Sequence, residues 1–402
     1  MPHSVRRREL LAGAGAAVIV GALQGCANLG AGQAARLPPP RTEPPRPNQL
    51  MLPRIRASTD RITRITVCTR PFRARGPRLD VEQVGRKTVV HNYGHGGSGW
   101  SLSWGSSGIA VKKALATGER DIAVLGCGAL GLTSALLLQR AGARATIYAK
   151  ELPPNVRSSL ATGLWTPDSR ICFDEYATPS FKKTWQAMAR DSFQTYQTLL
   201  GLPGNPVEFI DQYIVSDTAD TERRHDAPTD GRKKFAELQH ELIGDLIPNG
   251  ENYAPGSHPF NDRYMRRNTL MMFNLTAYAR MLMSDFIANG GKIEVVEFRT
   301  RGDLATLRQR TLINATGYGA RALFDDQSIT PVRGQLTRLI PQPEVGYGLY
   351  YKGVSFVPRR DGLVFQAVGE DDNAGFNDAT TIPDRAEANF AVNTIATLFD
   401  GV

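Results

Sequence analysis

Three glycines near the middle of the chain have the spacing that a phosphate-binding turn requires. Gly126, Gly128 and Gly131 form a G-x-G-x-x-G pattern directly after an apolar run at residues 122–125. The first glycine permits a tight turn, the second lets backbone approach a pyrophosphate, and the third lets helix and strand pack closely. The pattern therefore predicts a dinucleotide-binding turn. Its other cofactor-binding positions are Ala129 and Leu130.

The segments that flank this turn fit a strand–helix–strand unit. Residues 132–140 have helical character, and residues 145–148 read as a second strand. The start of such a helix offers N–H groups and a positive dipole end to an anion. Glu151, about 20 residues beyond the turn, suits a ribose hydroxyl, and the preceding Lys150 could instead meet a phosphate. A mononucleotide-only or purely structural turn is the alternative.

Composition bounds the class of protein. The chain has 402 residues, of which 41% are hydrophobic and 22% charged, as in ordinary globular proteins. Of the net charge of +9, most lies in the first 60 residues, which hold eight arginines and three acidic residues. The rest of the chain gives no reason to propose a nucleic-acid partner.

The cysteines do not predict a metal site. No two of the four have metal-ligand spacing, and no metal is predicted. Cys127 lies inside the glycine turn and is interpreted as a small packing residue. A disulfide among the last three stays open. The four are Cys26, Cys68, Cys127 and Cys172.

The first residues resemble an export signal. Arg6, Arg7 and Arg8 precede a short apolar run at residues 12–23, which is typical of a Tat signal. The run ends near Cys26 in a lipobox-like sequence, so a lipid on Cys26 would tether the protein to a membrane; an uncleaved anchor or a plain signal peptide are the alternatives. We expect a signal at 1–26, a proline-rich tether at 27–54, and a periplasmic or cell-surface location.

A second candidate site precedes the glycine turn. Residues 62–68 read as a strand, and the sequence Arg70-Pro71-Phe72-Arg73 follows it. Residues 89–104 then read VVHNYGHGGSGWSLSW, in which glycines alternate with histidines and aromatic residues. Such a backbone can press against a flat ligand.

These motifs resemble those of the D-amino-acid oxidase family of FAD enzymes. HNYGHGGSGWSLSWG is similar to the family signature, and RPFR is similar to its RPxR motif. Further similar segments are ATGLWTP at 161–167, LINATG at 312–317 and VRGQ at 332–335. In the family the first two motifs follow the dinucleotide turn, whereas here they precede it. The resemblance therefore implies a circular permutation.

The resemblance implies a mixed α/β fold with two parts. One is a Rossmann-like FAD-binding domain, expected at residues 55–175 and 270–330. The other is a substrate domain with an antiparallel sheet, expected at 176–269 and 331–402. FAD is the implied cofactor.

The resemblance also implies the roles of individual residues. Arg70 would hold the substrate carboxylate, and the carbonyl of Gly97 would accept a hydrogen bond from the substrate amine. Val296 is a candidate contact to adenine. The other implied cofactor-binding residues are Gly96, Ser98, Gly99, Trp100, Ser101, Arg157, Ser158, Thr162, Gly163, Leu164 and Thr316.

Two positions depart from the family pattern. The family has two tyrosines, four residues apart, before its substrate-facing strand, and the matching residues here are Tyr351 and Ser355. Both are candidate catalytic residues, although Ser355 lacks the phenol that would contact the carboxylate. Tyr350 could substitute after a shift of one residue.

The implied reaction is the oxidative deamination of D-amino acids to 2-oxo acids, with ammonia and hydrogen peroxide as the other products. The expected partners are an amino acid substrate and dioxygen, and a homodimer stays open. One alternative is a glycine or sarcosine type of amine oxidase. Another is a non-catalytic lipoprotein that retains FAD.

Overall fold

The computed structural model describes residues 50–219, 232–260, 262–369 and 372–399. The predicted signal with Cys26 and most of the predicted tether lie outside these residues. Residues 47–402 form one unit.

The described residues contain fourteen strands and seven α-helices. The strands are β1 (Ile62–Arg73), β2 (Val81–Val84), β3 (Lys87–His91), β4 (Asp121–Leu125), β5 (Arg144–Ala149), β6 (Val207–Ser216), β7 (Glu251–Tyr253), β8 (Tyr264–Phe273), β9 (Lys292–Val295), β10 (Thr311–Asn314), β11 (Ile329–Leu339), β12 (Tyr347–Tyr351), β13 (Val354–Arg359) and β14 (Gly362–Ala367). The helices are α1 (Ser103–Leu115), α2 (Ala129–Arg140), α3 (Pro179–Gln197), α4 (Gln239–Ile243), α5 (Leu275–Ala288), α6 (Ala320–Leu323) and α7 (Arg385–Ala396).

The smaller sheet has six strands in the order β2-β3-β10-β4-β5-β9. All its neighbouring strands are parallel except β2 and β3. Strands β4 and β10 are almost wholly buried, as expected for strands covered on both faces, and β4 is apolar after its first residue. The predicted unit of strand, glycine turn, helix and strand is confirmed as β4, α2 and β5.

The larger sheet has eight strands in the order β1-β11-β14-β13-β12-β6-β8-β7. Its pairs are antiparallel apart from β12 and β6, which run parallel. The predicted mixed α/β fold is confirmed. The larger sheet was predicted to be antiparallel, and the parallel pair of β12 and β6 is its one departure from that prediction.

Strand β1 lies at one end of the larger sheet. It pairs with β11 over its whole length and continues through Arg73, so the RPFR segment is part of the strand rather than a loop after it. The predicted domain ranges place residues 55–175 in the FAD-binding part, whereas β1 belongs to the sheet of the other part. The last helix also lies near this strand, because Arg385 donates to the carbonyl of Thr59 over 3.0 Å.

A buried histidine connects β3 to its neighbours in the smaller sheet. Asn314 Nδ2 donates to His91 Nδ1 over 3.1 Å, and His91 Nε2 lies 3.0 Å from the carboxylate of Glu82. Both ring nitrogens are therefore satisfied in the neutral form, with the proton on Nε2. Burial lowers the pKa of His91 to about 4, and nearby Arg78 adds to this effect.

This arrangement predicts acid sensitivity of the fold. The unfolded chain binds a proton at His91 below about pH 6.5, whereas the folded chain does so only near pH 4. Stability from His91 is thus complete above pH 6.5 and is lost as the pH falls toward 4, by up to about 3 kcal/mol. Urea titrations between pH 4.5 and 7.5 should show this decrease.

The matched variant for this prediction is His91→Gln, which keeps a donor but does not titrate. Its free energy of unfolding should fall less steeply over the same pH range. Some slope will remain, because burial also lowers the pKa of His95, to about 3. Equal slopes in the two proteins would contradict the assignment.

The structure also bears on the predicted role of Cys127 and on the disulfide that the sequence left open. Cys68, Cys127 and Cys172 are buried free thiols. Burial raises the pKa of Cys127 to about 12, so its thiol stays protonated and is a packing group, not a nucleophile.

Within the described ranges, none of the helices is both long and apolar enough to cross a membrane.

Candidate active site

A cavity of about 1080 Å³ is lined by residues from both sheets. Its walls include the glycine turn after β4, the residues that follow β5, the glycine-rich segment before α1, and one face of the larger sheet. Ligands of open parallel sheets bind at the carboxyl ends of the strands, which is where β4, β5 and β10 meet this cavity. The cavity therefore unites the two sites that the sequence predicted separately.

The glycine turn forms the floor of the cavity at the start of α2. Gly126 has φ of 105°, and a Cβ there would lie 2.6 Å from the carbonyl oxygen of Ala315. At Gly128 a Cβ would lie 2.7 Å from Ser158 Oγ. Gly126 thus requires glycine because of its φ and the nearby backbone, whereas at Gly128 the close atom belongs to a side chain that can move. The absence of side chains leaves backbone at the surface of the cavity, as close contact with a pyrophosphate demands.

Two predicted residues stand beside the start of α2. Ser158 Oγ accepts a hydrogen bond of 3.1 Å from the N–H of Ala129, and its carbonyl accepts one of 2.8 Å from Trp100 Nε1. The guanidinium of Arg157 lies 5.1 Å from the ring centre of Tyr318. Arg157 and Ser158 both line the cavity, so a positive charge and a hydroxyl adjoin the helix N-terminus.

The residues after β5 form another part of the cavity wall. Lys150 and Glu151 follow the strand directly, and both line the cavity. The N–H of Val296 donates to the carbonyl of Ala149 over 3.0 Å, which places Val296 beside them. Lys150 Nζ lies 3.8 Å from the carboxylate of Glu297. Glu151 and Glu297 are thus the two carboxylates on this part of the cavity wall.

These residues fit FAD. The side-chain-free floor at Gly126 and Gly128 and the N-terminus of α2 suit its pyrophosphate, and Glu151 suits the ribose of the adenosine. Thr316, Thr162, Gly163 and Leu164 also line the cavity, as predicted.

The glycine-rich segment lies against strand β1. The N–H of Gly96 donates to the carbonyl of Pro71 over 2.9 Å, and Phe72 pairs with His95. Gly96 has φ of 55°, and a Cβ there would collide with the backbone of Arg170. Gly96, Gly97, Gly99 and Trp100 therefore line the cavity next to Arg70.

Three predicted cofactor-binding residues do not line the cavity. Gly131 packs against the carbonyl of Gly126, where a Cβ would collide. Ser98 Oγ donates to the carbonyl of Ser169 over 3.0 Å. Ser101 Oγ accepts from the N–H of Thr166 over 2.8 Å. Gly131 thus has the helix-packing role expected of the third glycine, whereas Ser98 and Ser101 use their hydroxyls to hold neighbouring backbone in place.

Arg70 faces the same cavity. Its Nη1 donates to the carbonyl of Arg333 over 3.0 Å. The guanidinium lies above Gly334, where a Cβ would be only 2.5 Å from Nη2. Within the described part of the chain, Arg70 forms no ion pair with a carboxylate. A guanidinium that is held by backbone and lacks an acidic partner is a site for an anion such as a carboxylate.

The structure corrects the placement of one predicted catalytic residue. Tyr351 is buried on the opposite face of β12, where its hydroxyl lies 2.9 Å from the Asp217 carboxylate. Successive side chains of a strand point to opposite faces, so Tyr350 lines the cavity instead. Ser355, the other position in doubt, does line the cavity and pairs directly with Tyr350.

Several residues of the cavity were not predicted from the sequence. They lie on the face of the larger sheet that Arg70 and Ser355 share, and alternation within each strand is the signal that could have found them. The residues from this face are Gln212, Ile214, Leu270, Leu336 and Gln366.

Comparisons with known proteins identify the family of the chain. A family model described as FAD dependent oxidoreductase (DAO) matches residues 121–402. The D-amino-acid oxidase of Streptomyces coelicolor is 27% identical over 220 residues, which cover 54% of this chain and 59% of that protein. The D-amino acid oxidase of Dugesia ryukyuensis is 23% identical over 293 residues, or 70% of this chain and 78% of that protein.

Among solved structures, the glycine oxidase of Bacillus cereus is similar with a TM-score of 0.47 and 13% identity, over 68% of this chain and 78% of that one. The match to the Streptomyces relative spans a little over half of that protein's length. The family match covers well over half of the chain and includes β4, the glycine turn and the larger sheet from β6 onward. This chain therefore belongs to the FAD-dependent oxidoreductase family.

Proposed function

We propose that the protein catalyses the FAD-dependent oxidative deamination of D-amino acids to 2-oxo acids, with ammonia and hydrogen peroxide as the other products. The observation that carries the proposal is that Arg70, without an acidic partner among the described residues, faces the cavity whose floor fits FAD. The preference for D-enantiomers is supported by the relatives, several of which are D-amino-acid oxidases.

Arg70 would hold the substrate by its α-carboxylate. Two parallel N–H donors of a guanidinium fix both the position and the plane of a carboxylate. The bond from Arg70 to the Arg333 carbonyl and the contact with Gly334 hold that guanidinium in place. Orientation of this kind supplies much of the rate enhancement when two groups must react in one geometry.

Gly97 would orient the other end of the substrate. Its carbonyl is proposed to accept a hydrogen bond from the substrate amine, and the bond from Gly96 to Pro71 couples this backbone to the strand that carries Arg70. When bound, FAD supplies the redox chemistry by accepting the hydride from the substrate Cα and passing the electrons to dioxygen. The imine would be released and hydrolysed by water.

Anaerobic spectroscopy of the purified protein tests this proposal. We expect D-amino acids to bleach the flavin absorbance and L-amino acids not to do so. Bleaching by glycine or N-methyl amines, but by no D-amino acid, would favour an amine oxidase of the glycine or sarcosine type. A protein that holds FAD and is reduced by none of these compounds would be a non-catalytic flavoprotein.

The chain order is also proposed to be a circular permutation. The family match begins at Asp121, the first residue of β4, although residues before it supply β1 and part of the cavity. The last described residues lie close to the start of the fold, since Ile55 shares a core cluster with Leu398 and Phe399. A rearranged chain that starts before β4 and carries residues 55–118 after residue 402 should therefore fold and hold FAD; failure of that chain would count against the permutation.

Export through a Tat-type signal and a lipid on Cys26 remain proposals from the sequence. The twin arginines and the lipobox-like segment support them. A Cys26→Ser variant that stays in the membrane fraction of cells would argue against the lipid. Dioxygen as the electron acceptor and a homodimer are likewise proposals.

A further inference from the structure

A row of polar side chains crosses the cavity face of the larger sheet beside Arg70. Tyr350 on β12 pairs with Ser355 on β13, and Ser355 pairs with Gln366 on β14. All three side chains line the cavity. The row therefore extends from β12 to β14, while β11 separates it from Arg70 on β1.

Gln366 is held in one orientation by a residue of another segment. Thr162 Oγ1 donates to Gln366 Oε1 over 2.5 Å. This bond uses the acceptor of the amide and leaves Nε2 as a pure donor, for which the described residues supply no partner. Gln366 is only 4% exposed and lines the cavity, so a group bound in that cavity can accept a hydrogen bond from Nε2. A ligand in the cavity that places a hydrogen-bond acceptor beside Gln366 Nε2 would therefore pair with this donor.

The distance from Arg70 suits a shared ligand. The register of β11 and β14 pairs Thr337 with Phe365, and one step further along it sets Leu336 opposite Gln366. Gly334 lies under the Arg70 guanidinium and is two residues from Leu336. Neighbouring strands are about 5 Å apart and alternate residues of a strand about 7 Å apart. The Cα atoms of Gln366 and Gly334 are therefore roughly 8 Å apart. Both side chains lie on this face of the sheet, so one carboxylate could accept hydrogen bonds of about 2.9 Å from each of them.

Arg70 alone leaves part of a carboxylate unsatisfied. One of its nitrogens, Nη1, already donates to the carbonyl of Arg333, whereas a carboxylate offers about four acceptor sites. The neighbouring Ser355 has too short a side chain to replace a tyrosine hydroxyl at that position. Gln366 is the donor next to it, on the adjacent strand.

We propose that Gln366, oriented by Thr162, is the second donor to the α-carboxylate of the substrate and so shares carboxylate recognition with Arg70. The inference rests on the proposed function for its substrate class. It predicts that the contribution of Gln366 is the same for every amino acid, because all of them share this carboxylate.

The test uses the full chain loaded with FAD and titrated with pyruvate, a simple 2-oxo acid. Flavin absorbance reports the Kd without any turnover. Gln366→Leu should weaken pyruvate binding roughly 10- to 100-fold, as expected for one hydrogen bond to a charged group. Gln366→Glu should weaken it more, because two carboxylates would face each other. Thr162→Val keeps Gln366 but removes its orientation, and should give a smaller loss.

Gln342→Leu is the matched control, since Gln342 has the same exposure of 4% and lies outside the cavity lining. It should bind pyruvate as the parent protein does. An unchanged Kd in Gln366→Leu, or no pyruvate binding by the parent, would overturn the inference. A KM that rises in Gln366→Leu only for substrates with polar side chains would overturn the inference as well. Absence of flavin reduction by any amino acid would instead reject the proposed function, and the pyruvate titrations would still decide the role of Gln366.

Discussion

Replacement of Arg70 by leucine should lower kcat/KM for amino acids roughly a thousandfold or more, because two charge-assisted hydrogen bonds to the carboxylate are lost. The guanidinium has no acidic partner among the described residues and rests on Gly334, so its removal leaves no buried carboxylate unpaired. The variant should therefore fold and retain FAD. Anaerobic flavin reduction by D-amino acids gives the rate, and flavin absorbance after gel filtration gives the cofactor content.

The control for this variant is Arg64→Leu on the same strand. Arg64 is exposed and does not line the cavity, so the same change of charge there should leave kcat/KM within a factor of about two, as is usual for a surface substitution. If both variants lost activity equally, the net charge of the strand and not carboxylate binding would explain the effect of Arg70.

Replacement of Gly128 by valine should weaken FAD binding on the order of 100-fold, as expected when a side chain is forced into a closely packed site. The nearest atom to a Cβ at this position is Ser158 Oγ at 2.7 Å, and a hydroxyl can rotate away. The side chain would then occupy the floor where the proposed pyrophosphate lies. We expect a folded protein that loses flavin during gel filtration, with secondary structure unchanged by circular dichroism.

Gly108→Val provides the comparison for Gly128. Gly108 is exposed on α1, and a Cβ there has open space around it. This variant should keep its flavin. Retention of FAD by Gly128→Val at the parental level would show that the turn after β4 does not bind the cofactor phosphates.

Much of the cofactor site could be predicted from the sequence because its signals are local. The glycine spacing, the apolar run before it and the helix after it all lie within 30 residues, and β4, α2 and β5 form as expected. Glu151 and Val296 are positioned by the ends of β5 and β9, which the strand pattern also indicated. The family motif at residues 91–105 located the segment that contacts β1.

The substrate side of the cavity was harder to predict because it depends on pairing between distant strands. A shift of one residue moves a side chain to the other face of a sheet, which is why Tyr351 was expected in the cavity and Tyr350 is found there. Gln366 gives no local signal at all: it reaches the cavity only through the register of β13 and β14 and its bond to Thr162. Motifs therefore identified Arg70 and Ser355 but not Gln212, Gln366 and the other residues that share their surface.

The position of β1 has a consequence for how the protein is made. Arg70 bonds to the backbone of Arg333, which is 263 residues later in the chain. Ribosomes add about 5–20 residues per second, so β1 emerges tens of seconds before the strand that pairs with it. During translation this edge strand therefore lacks its partner strand, and the proposed anion site at Arg70 can form only when synthesis is nearly over.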